Sequence, residues 1–177
     1  MSLFVLSGPE PLVTLEEAKV FLRVDESGDF DALITSLLIA AQTEFDGPNG
    51  WVGRCFGRQS IQYEHLHWYF PACFKLPFAE VLDLTSIETR TSAGWSLVDR
   101  AVYECDGDVV RLSGGQKWPE ASAARITISA GMESGDPRLE QVRAAILFHC
   151  KMHFDDGDFG DRLRRVIDAL LNPLRVF

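Results

Sequence analysis

Apolar residues recur at helical spacing in two segments near the start of the chain. The first segment begins at Thr14, which is followed three residues later by Glu17 in the pattern of a capping box, and it ends near Val24. The second has Asp29 as its expected N-cap. Its apolar stripe comprises Phe30, Leu33, Ile34, Leu37, Leu38, Ala41 and Phe45. The spacing predicts a helical hairpin over residues 14–46, ended by the Gly-Pro-Asn-Gly run that follows it.

From about Arg58 the pattern changes to short runs of β-branched and aromatic residues separated by turns. Six such runs predict strands, over residues 60–69, 81–89, 95–98, 102–105, 109–112 and 125–130. Asp106 and Gly107 lie between two of these runs and are typical of a hairpin turn. We expect a small antiparallel sheet inserted between helices.

Helical spacing returns after Pro137 and ends before the acidic run that starts at Asp155. One apolar stripe of this helix comprises Leu139, Val142, Ile146, His149 and His153, and a second comprises Ala145, Phe148 and Met152. A helix that is apolar over so wide an arc is buried by more than one neighbour. We therefore interpret the second stripe as a candidate subunit interface. A last helix ends at Asn172, because the residue before a proline disfavours helical geometry.

These elements together predict an α+β fold. We expect a helical bundle, formed by the N-terminal helical hairpin and the C-terminal helices, with a small antiparallel β-sheet insert. The expected domains are residues 1–57, the inserted β region at residues 58–131, and residues 132–177, with the first and last packing as one domain.

The composition fits a globular chain whose charge is unevenly distributed. The chain has 177 residues, is 46% hydrophobic and carries a formal net charge of −9. Residues 1–50 contain two basic residues against nine acidic ones. This excess argues against a protein that grips nucleic acid through its surface, because such binding needs basic patches. The longest apolar run, residues 37–41, is far too short to span a membrane, so we expect no membrane segment.

Two clusters of possible metal ligands match known metal-binding motifs poorly. His149 and His153 have the spacing of a zinc pair, with His65 or His67 as a third ligand, but they also fit the packing stripe of their helix. The acidic run Asp155, Asp156, Asp158 and Asp161 lacks the register of a calcium loop. The four cysteines are irregularly spaced, which is typical of free thiols in a reducing cytoplasm. We expect no metal and no cofactor, and no motif of the sequence indicates an enzyme.

Two apolar features leave alternatives open. The aromatic residues Trp51, Trp68, Tyr69, Phe70, Phe74 and Phe78 form either the core of the sheet or a surface for a partner. The apolar tail after the last helix either docks on its own domain or inserts into a neighbouring protein.

Several segments resemble one known family in their order and spacing. Residues 13–19 (VTLEEAK), 21–25 (FLRVD) and 31–34 (DALI) resemble the opening of the head–tail connector, or adaptor, proteins of long-tailed phages and gene transfer agents. The Lys-Trp-Pro turn at residues 117–119, the helix after Pro137 and the ending LLNPLRV at residues 170–176 resemble later parts of the same family. The loop at residues 46–51 is longer, and the sheet larger, than in the simplest members.

The resemblance implies a structural protein without enzymatic activity, made in the host bacterial cytoplasm and located in the virion neck. Family members form a ring of about twelve copies below the portal protein. One face of the ring docks on the portal and the other receives a stopper or tail-completion protein, while DNA passes through without specific binding.

On this basis we assign expected roles to two sets of residues. Portal binding is expected from the tail, Asn172, Pro173, Leu174, Arg175, Val176 and Phe177. A lining of the DNA channel that repels phosphate is expected from Glu16, Glu17, Asp25 and Glu26. The alternatives are a monomeric ligand-binding or regulatory module that uses the β insert, and a hydrolase that uses His149 and His153.

Overall fold

The computed structural model describes residues 2–25, 27–66, 71–77, 80–155 and 160–176. The chain divides into two compact units. The sheet unit comprises Met1–Gly8 and Arg58–Gly131, and the helical unit comprises Pro9–Gly57 and Met132–Phe177. Each unit is therefore built from two separate segments of the chain.

The sheet unit contains two antiparallel sheets in its described residues. The larger has five strands, in the spatial order β1 (Ser2–Ser7), β2 (Gln59–Leu66), β8 (Ala123–Ala130), β4 (Val81–Thr91) and β5 (Gly94–Leu97). The smaller has the order β3 (Cys73–Lys75), β7 (Val109–Leu112) and β6 (Tyr103–Asp106). The β6–β7 hairpin turns at Gly107, whose φ of +57° favours glycine, as the Asp-Gly pair predicts.

The centre of the larger sheet is β8, which pairs with β2 on one side and β4 on the other. Ile126 and Ile128 are fully buried, and Ile128 lies opposite both Ile61 and Leu84. Strand β1 lies at the edge of this sheet and exposes Phe4, Val5 and Leu6. Strand β8 is therefore buried along most of its length and forms the centre of the larger sheet.

The helical unit contains α1 (Leu15–Leu22), α2 (Asp31–Phe45), α3 (Pro137–Phe154) and α4 (Gly160–Leu171), with a short 3₁₀ turn at Asn172–Leu174. The capping box at Thr14 and Glu17 is confirmed. The N-cap of α2 is Phe30 rather than Asp29 and makes no capping hydrogen bond through its side chain. The core includes the fully buried Ile34, Ala41, Val52, Phe56, Val142, Ala145, Cys150 and Leu171.

The predicted helical bundle with a small sheet insert is wrong. The described residues form eight strands in two antiparallel sheets beside four α-helices, which is a sheet-rich α+β fold. The prediction missed β1 and β3. Strand β1 is an apolar run without alternation, so its local pattern carries no strand period. Strand β3 has only three residues. None of the described helices is long and apolar enough to cross a membrane.

Candidate interaction surfaces

The C-terminal tail lies against a loop of its own helical unit. Leu174 is buried, and its carbonyl accepts a hydrogen bond from Arg54 Nε at 2.5 Å. The Val176 N–H donates to the carbonyl of Val52 at 3.0 Å. The Arg175 guanidinium lies over the Trp51 ring, 5.2 Å from its centroid. Residues 172–176 are therefore held at the loop of residues 51–54, and Phe177 lies outside the described residues.

The predicted interface stripe of α3 is divided between core and surface. Ala145 is fully buried in the core of the helical unit. Phe148 is half-buried and makes an edge-to-face contact with Phe21, with ring centroids 5.6 Å apart. Met152 is also half-buried and, with Phe148 and Leu163, lines a cavity of about 420 Å³ between α3 and α4. Only the outer edge of this stripe is thus open to a partner, because Ala145 is occupied by its own unit.

The acidic residues assigned to a channel lining are exposed where the structure describes them. Glu16, Glu17 and Asp25 are exposed, and Glu26 lies outside the described residues. Glu17 accepts the Thr14 N–H at 2.8 Å and pairs with Arg143. The Thr14 backbone N–H, more than any other contact, lowers the pKa of Glu17, so this carboxylate is charged at neutral pH and partly neutralised by Arg143.

Asp25 and Lys19 also have local partners. Asp25 accepts the Ser27 hydroxyl at 2.6 Å. Lys19 is buried and bonds to Asp31 at 2.8 Å, which raises the pKa of Lys19. The buried Lys19 is therefore paired inside the unit rather than presented to solvent. Most of the acidic residues in the segment 1–50 are exposed, whereas Asp31 is half-buried and Asp46 is buried.

His149 is buried beside an acidic side chain of the neighbouring helix. Its Nε2 lies 3.0 Å from Glu44 Oε2, and its ring contacts Phe45 and His153 at centroid distances of 5.5 and 4.6 Å. Burial lowers the pKa of His149 despite the Glu44 charge, so the ring is neutral at pH 7. A cavity of about 360 Å³ borders this pair and is also lined by Trp51, Arg164 and Asp168.

Cys150, which follows His149 in the chain, is fully buried. Burial raises the pKa of Cys150 to about 11, which keeps its thiol protonated and unreactive at neutral pH. His65 lies in the sheet unit, and His67 lies outside the described residues. Among the residues that the structure describes, no group of three or more His, Cys, Asp or Glu side chains is placed to hold a metal ion.

The acidic run after α3 is described only at its two ends. Asp155 follows the last helical residue and pairs with Lys151 at 3.0 Å. Asp161 is exposed in the first turn of α4. Asp156 and Asp158 lie outside the described residues. Asp161 therefore lies where the helix dipole favours a carboxylate, whereas Asp155 lies at the C-terminus of α3 and has Lys151 as its partner.

The predicted aromatic cluster is described in part. Trp51 and Phe74 are half-buried, whereas Trp68, Tyr69, Phe70 and Phe78 lie outside the described residues. Phe74 lies 6.0 Å from the Trp118 ring, and Trp118 stacks on Tyr103 at 5.9 Å. These three rings belong to the sheet unit. A partner surface at this cluster stays a prediction.

Two other surfaces of the helical unit were not predicted from the sequence. The first is the outer face of α2, which we define as Ala32, Leu33, Ser36, Ile39, Ala40 and Thr43, all exposed. The second is the α1–α3 groove, a shallow groove of about 570 Å³ whose apolar residues are Val20, Phe21, Ala144 and Leu147. Phe30 and Leu33 had been expected in the packing stripe of α2 but are nearly half exposed. The signal that could have found the outer face is the absence of any charged residue between Asp31 and Glu44.

Comparison with known proteins gives matches among solved structures alone. No family model and no curated protein matches the chain. A chain of the "Neck of empty GTA particle computed with C6 symmetry" is similar with a TM-score of 0.74 and 20% identity. A chain of the "Virion of native gene transfer agent (GTA) particle" is similar with a TM-score of 0.72 and 20% identity. A chain of the "Neck of native GTA particle computed with C12 symmetry" is similar with a TM-score of 0.68 and 19% identity.

In each case the match covers 100% of this chain and 96% of the other. This chain therefore shares its fold, over its whole length, with proteins of gene transfer agent particles and their necks.

Proposed function

We propose that this chain is a structural, non-enzymatic component of the neck of a phage or gene transfer agent particle. The observation that carries the proposal is the match to neck chains, which covers 100% of this chain and 96% of the other. At 19–20% identity the fold is what is shared, so the role rests on this likeness together with the resemblance of the sequence to head–tail connectors.

In its finer form the proposal is a ring of about twelve copies below the portal, through which DNA passes. A cyclic ring repeats one contact between two different surfaces of each copy. The exposed carboxylates of Glu16 and Asp25 suit a lining that repels DNA phosphate. A stopper or tail-completion protein is the expected partner on the far face of the ring.

The tail at residues 172–177 is the proposed portal contact. Its described part docks on the chain's own loop through Val176, which is exposed, and Arg175, which is half-buried. Leu174, in contrast, is part of the core. Release of the residues after Leu174 from the loop would free this short segment without opening the core. Portal binding is thus compatible with the docked tail if Leu174 remains in place.

The test is binding of the full chain to capsids that carry the portal but lack the neck. We expect the unaltered chain to sediment with these capsids and a chain ending at Arg175 to sediment at least about tenfold less. A chain ending at Leu171 is a poor variant, because it removes the buried Leu174 and the acceptor of Arg54. Exposed Arg165 on α4 gives the control Arg165→Ala, which keeps the tail intact.

Two outcomes contradict the proposal at different levels. Equal binding by the unaltered chain and the chain ending at Arg175 excludes the tail as the portal contact. Absence of binding by the unaltered chain, with a monomer in light scattering, contradicts the neck role and favours the monomeric ligand-binding or regulatory module.

A further inference from the structure

The outer face of α2 has the surface chemistry of a buried helix face. It carries no charged residue over three turns, and Ile39 is 63% exposed. Exposed helix faces of soluble proteins normally carry charged or strongly polar side chains. Contiguous exposed apolar residues mark an interaction site. This face therefore has the composition of a surface that a partner covers.

The hydroxyl groups on this face already have partners in their own helix. Ser36 Oγ donates to the Ala32 carbonyl at 2.9 Å, and Thr43 Oγ1 donates to the Ile39 carbonyl at 2.7 Å. A buried hydroxyl without a hydrogen bond is costly. Because these two are satisfied internally, a partner can cover the face without supplying hydrogen bonds to them.

The α1–α3 groove has properties that match this face. Val20 on its edge is 79% exposed, and the other apolar lining residues are Phe21, Ala144 and Leu147. The charged pair on the rim, Glu17 and Arg143, is already joined, and Arg143 also donates to the Leu12 carbonyl at 2.5 Å. Glu16 and Glu140 also line the groove, and Glu140 lies 3.7 Å from Arg143. An uncharged helix can enter the groove without separating Arg143 from Glu17 and Glu140, whereas breaking such a pair on burial would be costly.

We propose that the outer face of α2 of one copy packs into the α1–α3 groove of a second copy. The face and the groove share no residue, so each copy can present one to each of two neighbours. That is the heterologous contact that a closed ring requires. The contact rests on the proposed function for its place in a ring, and it moves the proposed subunit interface from the stripe of Ala145, Phe148 and Met152 to α2 and the α1–α3 groove. Because Glu16 lines the groove, the neighbouring copy would cover it, which leaves Asp25 as the described carboxylate of the proposed channel lining.

Nucleic acid and charged peptides are poor occupants of the α2 face. The face has no cation to bind phosphate and no charge to pair with a charged side chain. The groove accepts a small, uncharged helix, and α2 supplies Ala32, Ser36 and Ala40 for close approach. A second copy is therefore the occupant that both surfaces favour.

Crosslinking between cysteine variants of the full chain tests the contact. In a Cys73→Ser, Cys105→Ser background, Ala40→Cys places a thiol on the α2 face and Ala144→Cys places one in the groove. A short bismaleimide should join chains that carry both changes into ladders longer than dimers, because each copy then bonds two neighbours. The matched control replaces Ala40→Cys with Ala169→Cys, an exposed alanine of α4. We expect at least about tenfold less product from it.

A charge on the α2 face gives the second arm. Ile39→Glu in the double-cysteine chain should lower the crosslinked product about tenfold, whereas Ala169→Glu should leave it unchanged. Both changes are at exposed positions, so we expect both variants to fold. Circular dichroism checks this.

Three results would overturn the proposal. The first is an amount of crosslinked product no greater than in the Ala169→Cys control. The second is product that stops at dimers and forms equally when Ala40→Cys is the only thiol introduced. The third is an amount of product that Ile39→Glu does not lower. The capsid-binding test separates this failure from failure of the neck role. Crosslinked ladders without capsid binding would support the α2 contact and contradict the neck role. Capsid binding without ladders would support the neck role and contradict the α2 contact.

Discussion

The helical unit and the sheet unit differ in the contacts that stabilise each of them internally. In the larger sheet, distant segments are joined by backbone ladders, with β8 pairing along its length with β2 and β4. In the helical unit, distant segments pack through an apolar core, and hydrogen bonds of single side chains fix the loops between them. Asp46 accepts the N–H groups of Phe56 and Gly57 at 2.7 and 2.8 Å, and Gln42 bonds to both Leu12 and Glu10.

This difference shows where each unit is vulnerable. A ladder distributes its stabilisation over many equivalent bonds, whereas one buried carboxylate concentrates it in a single residue. The helical unit should therefore respond more strongly to the loss of one polar side chain. The sheet unit should respond mainly to a cavity in its apolar core.

The largest effect is expected from Asp46→Ala in the helical unit. Asp46 is buried, and its loss leaves two buried N–H groups and Gln42 without this acceptor. We expect the free energy of unfolding to fall by about 4 kcal/mol. Hydrogen exchange by mass spectrometry, read in α2 and α3, measures the change.

Two variants control this prediction. Asp46→Asn keeps one acceptor oxygen and should cost about half as much. Glu133→Ala changes an exposed acid in the same unit and should cost less than about 0.5 kcal/mol. If Asp46→Ala lowers the free energy of unfolding no more than Glu133→Ala does, the Asp46 carboxylate is not a major source of the stability of this unit.

In the sheet unit, Ile128→Ala should lower the free energy of unfolding by about 3 kcal/mol. Ile128 is fully buried between Ile61 and Leu84, so its truncation leaves a cavity at the centre of the larger sheet. Hydrogen exchange in β2 and β4 should rise together. Leu97→Ala, at a position 69% exposed on the edge strand β5, is the matched control and should change stability little.

The same contrast explains what the sequence predicted in each unit. The capping box at Thr14 and the Asp-Gly hairpin turn were read correctly because both depend on residues within a few positions. Strand β1 was missed because its own pattern has no strand period. The fold class failed for this reason, since each missed strand made the sheets look smaller than they are.

The interaction surfaces were harder to predict than the elements. Helical spacing places Ala145 and Met152 on one stripe, but it does not say which neighbour covers each of them. The structure puts Ala145 in the core and leaves Leu33 and Ile39 outside. Periodicity alone cannot distinguish a face that packs within a chain from one that packs between chains, because the two faces share the same composition.

A smaller effect is expected from the ion pair of the larger sheet. Arg125 makes two bonds to Glu88, at 2.7 and 2.8 Å, and its guanidinium lies over the Trp95 ring, 4.6 Å from the centroid. Both side chains are partly exposed, so a double-mutant cycle with Arg125→Ala and Glu88→Ala should give a coupling free energy of about 1 kcal/mol. Arg125→Lys keeps the charge but loses the paired geometry.

The pH dependence gives a second measure of this pair. The hydrogen bond from Arg125 lowers the pKa of Glu88 below its ordinary value of 4.5. The stabilisation by the Glu88–Arg125 pair is therefore fully present above the pKa that Glu88 has in the unfolded chain. It is lost as the pH falls through the lower pKa that Glu88 has in the folded protein. A coupling that does not weaken between about pH 5 and pH 2 would contradict this account.

The smallest effect is expected from His149, the buried histidine of the helical unit. Burial is the main cause that lowers its pKa below 6.5, and the charge of Glu44 on α2 acts in the opposite direction. His153 on α3 and Arg164 on α4 lower the pKa further. The unfolded chain therefore takes up the proton first, and stability falls as pH drops below about 6.5. His149→Gln should remove this fall, by about 0.5 to 1 kcal/mol between pH 7.5 and pH 5.5.

His153→Gln is the matched control, because His153 is exposed on the same helix. It should leave most of the pH dependence in place, since burial of His149 is the main cause of the lowered pKa. Thermal unfolding followed by helical circular dichroism measures both variants. If stability instead rose as pH fell, the Glu44–His149 pair would outweigh burial, and a single side-chain contact would be decisive in the helical unit, as predicted for Asp46.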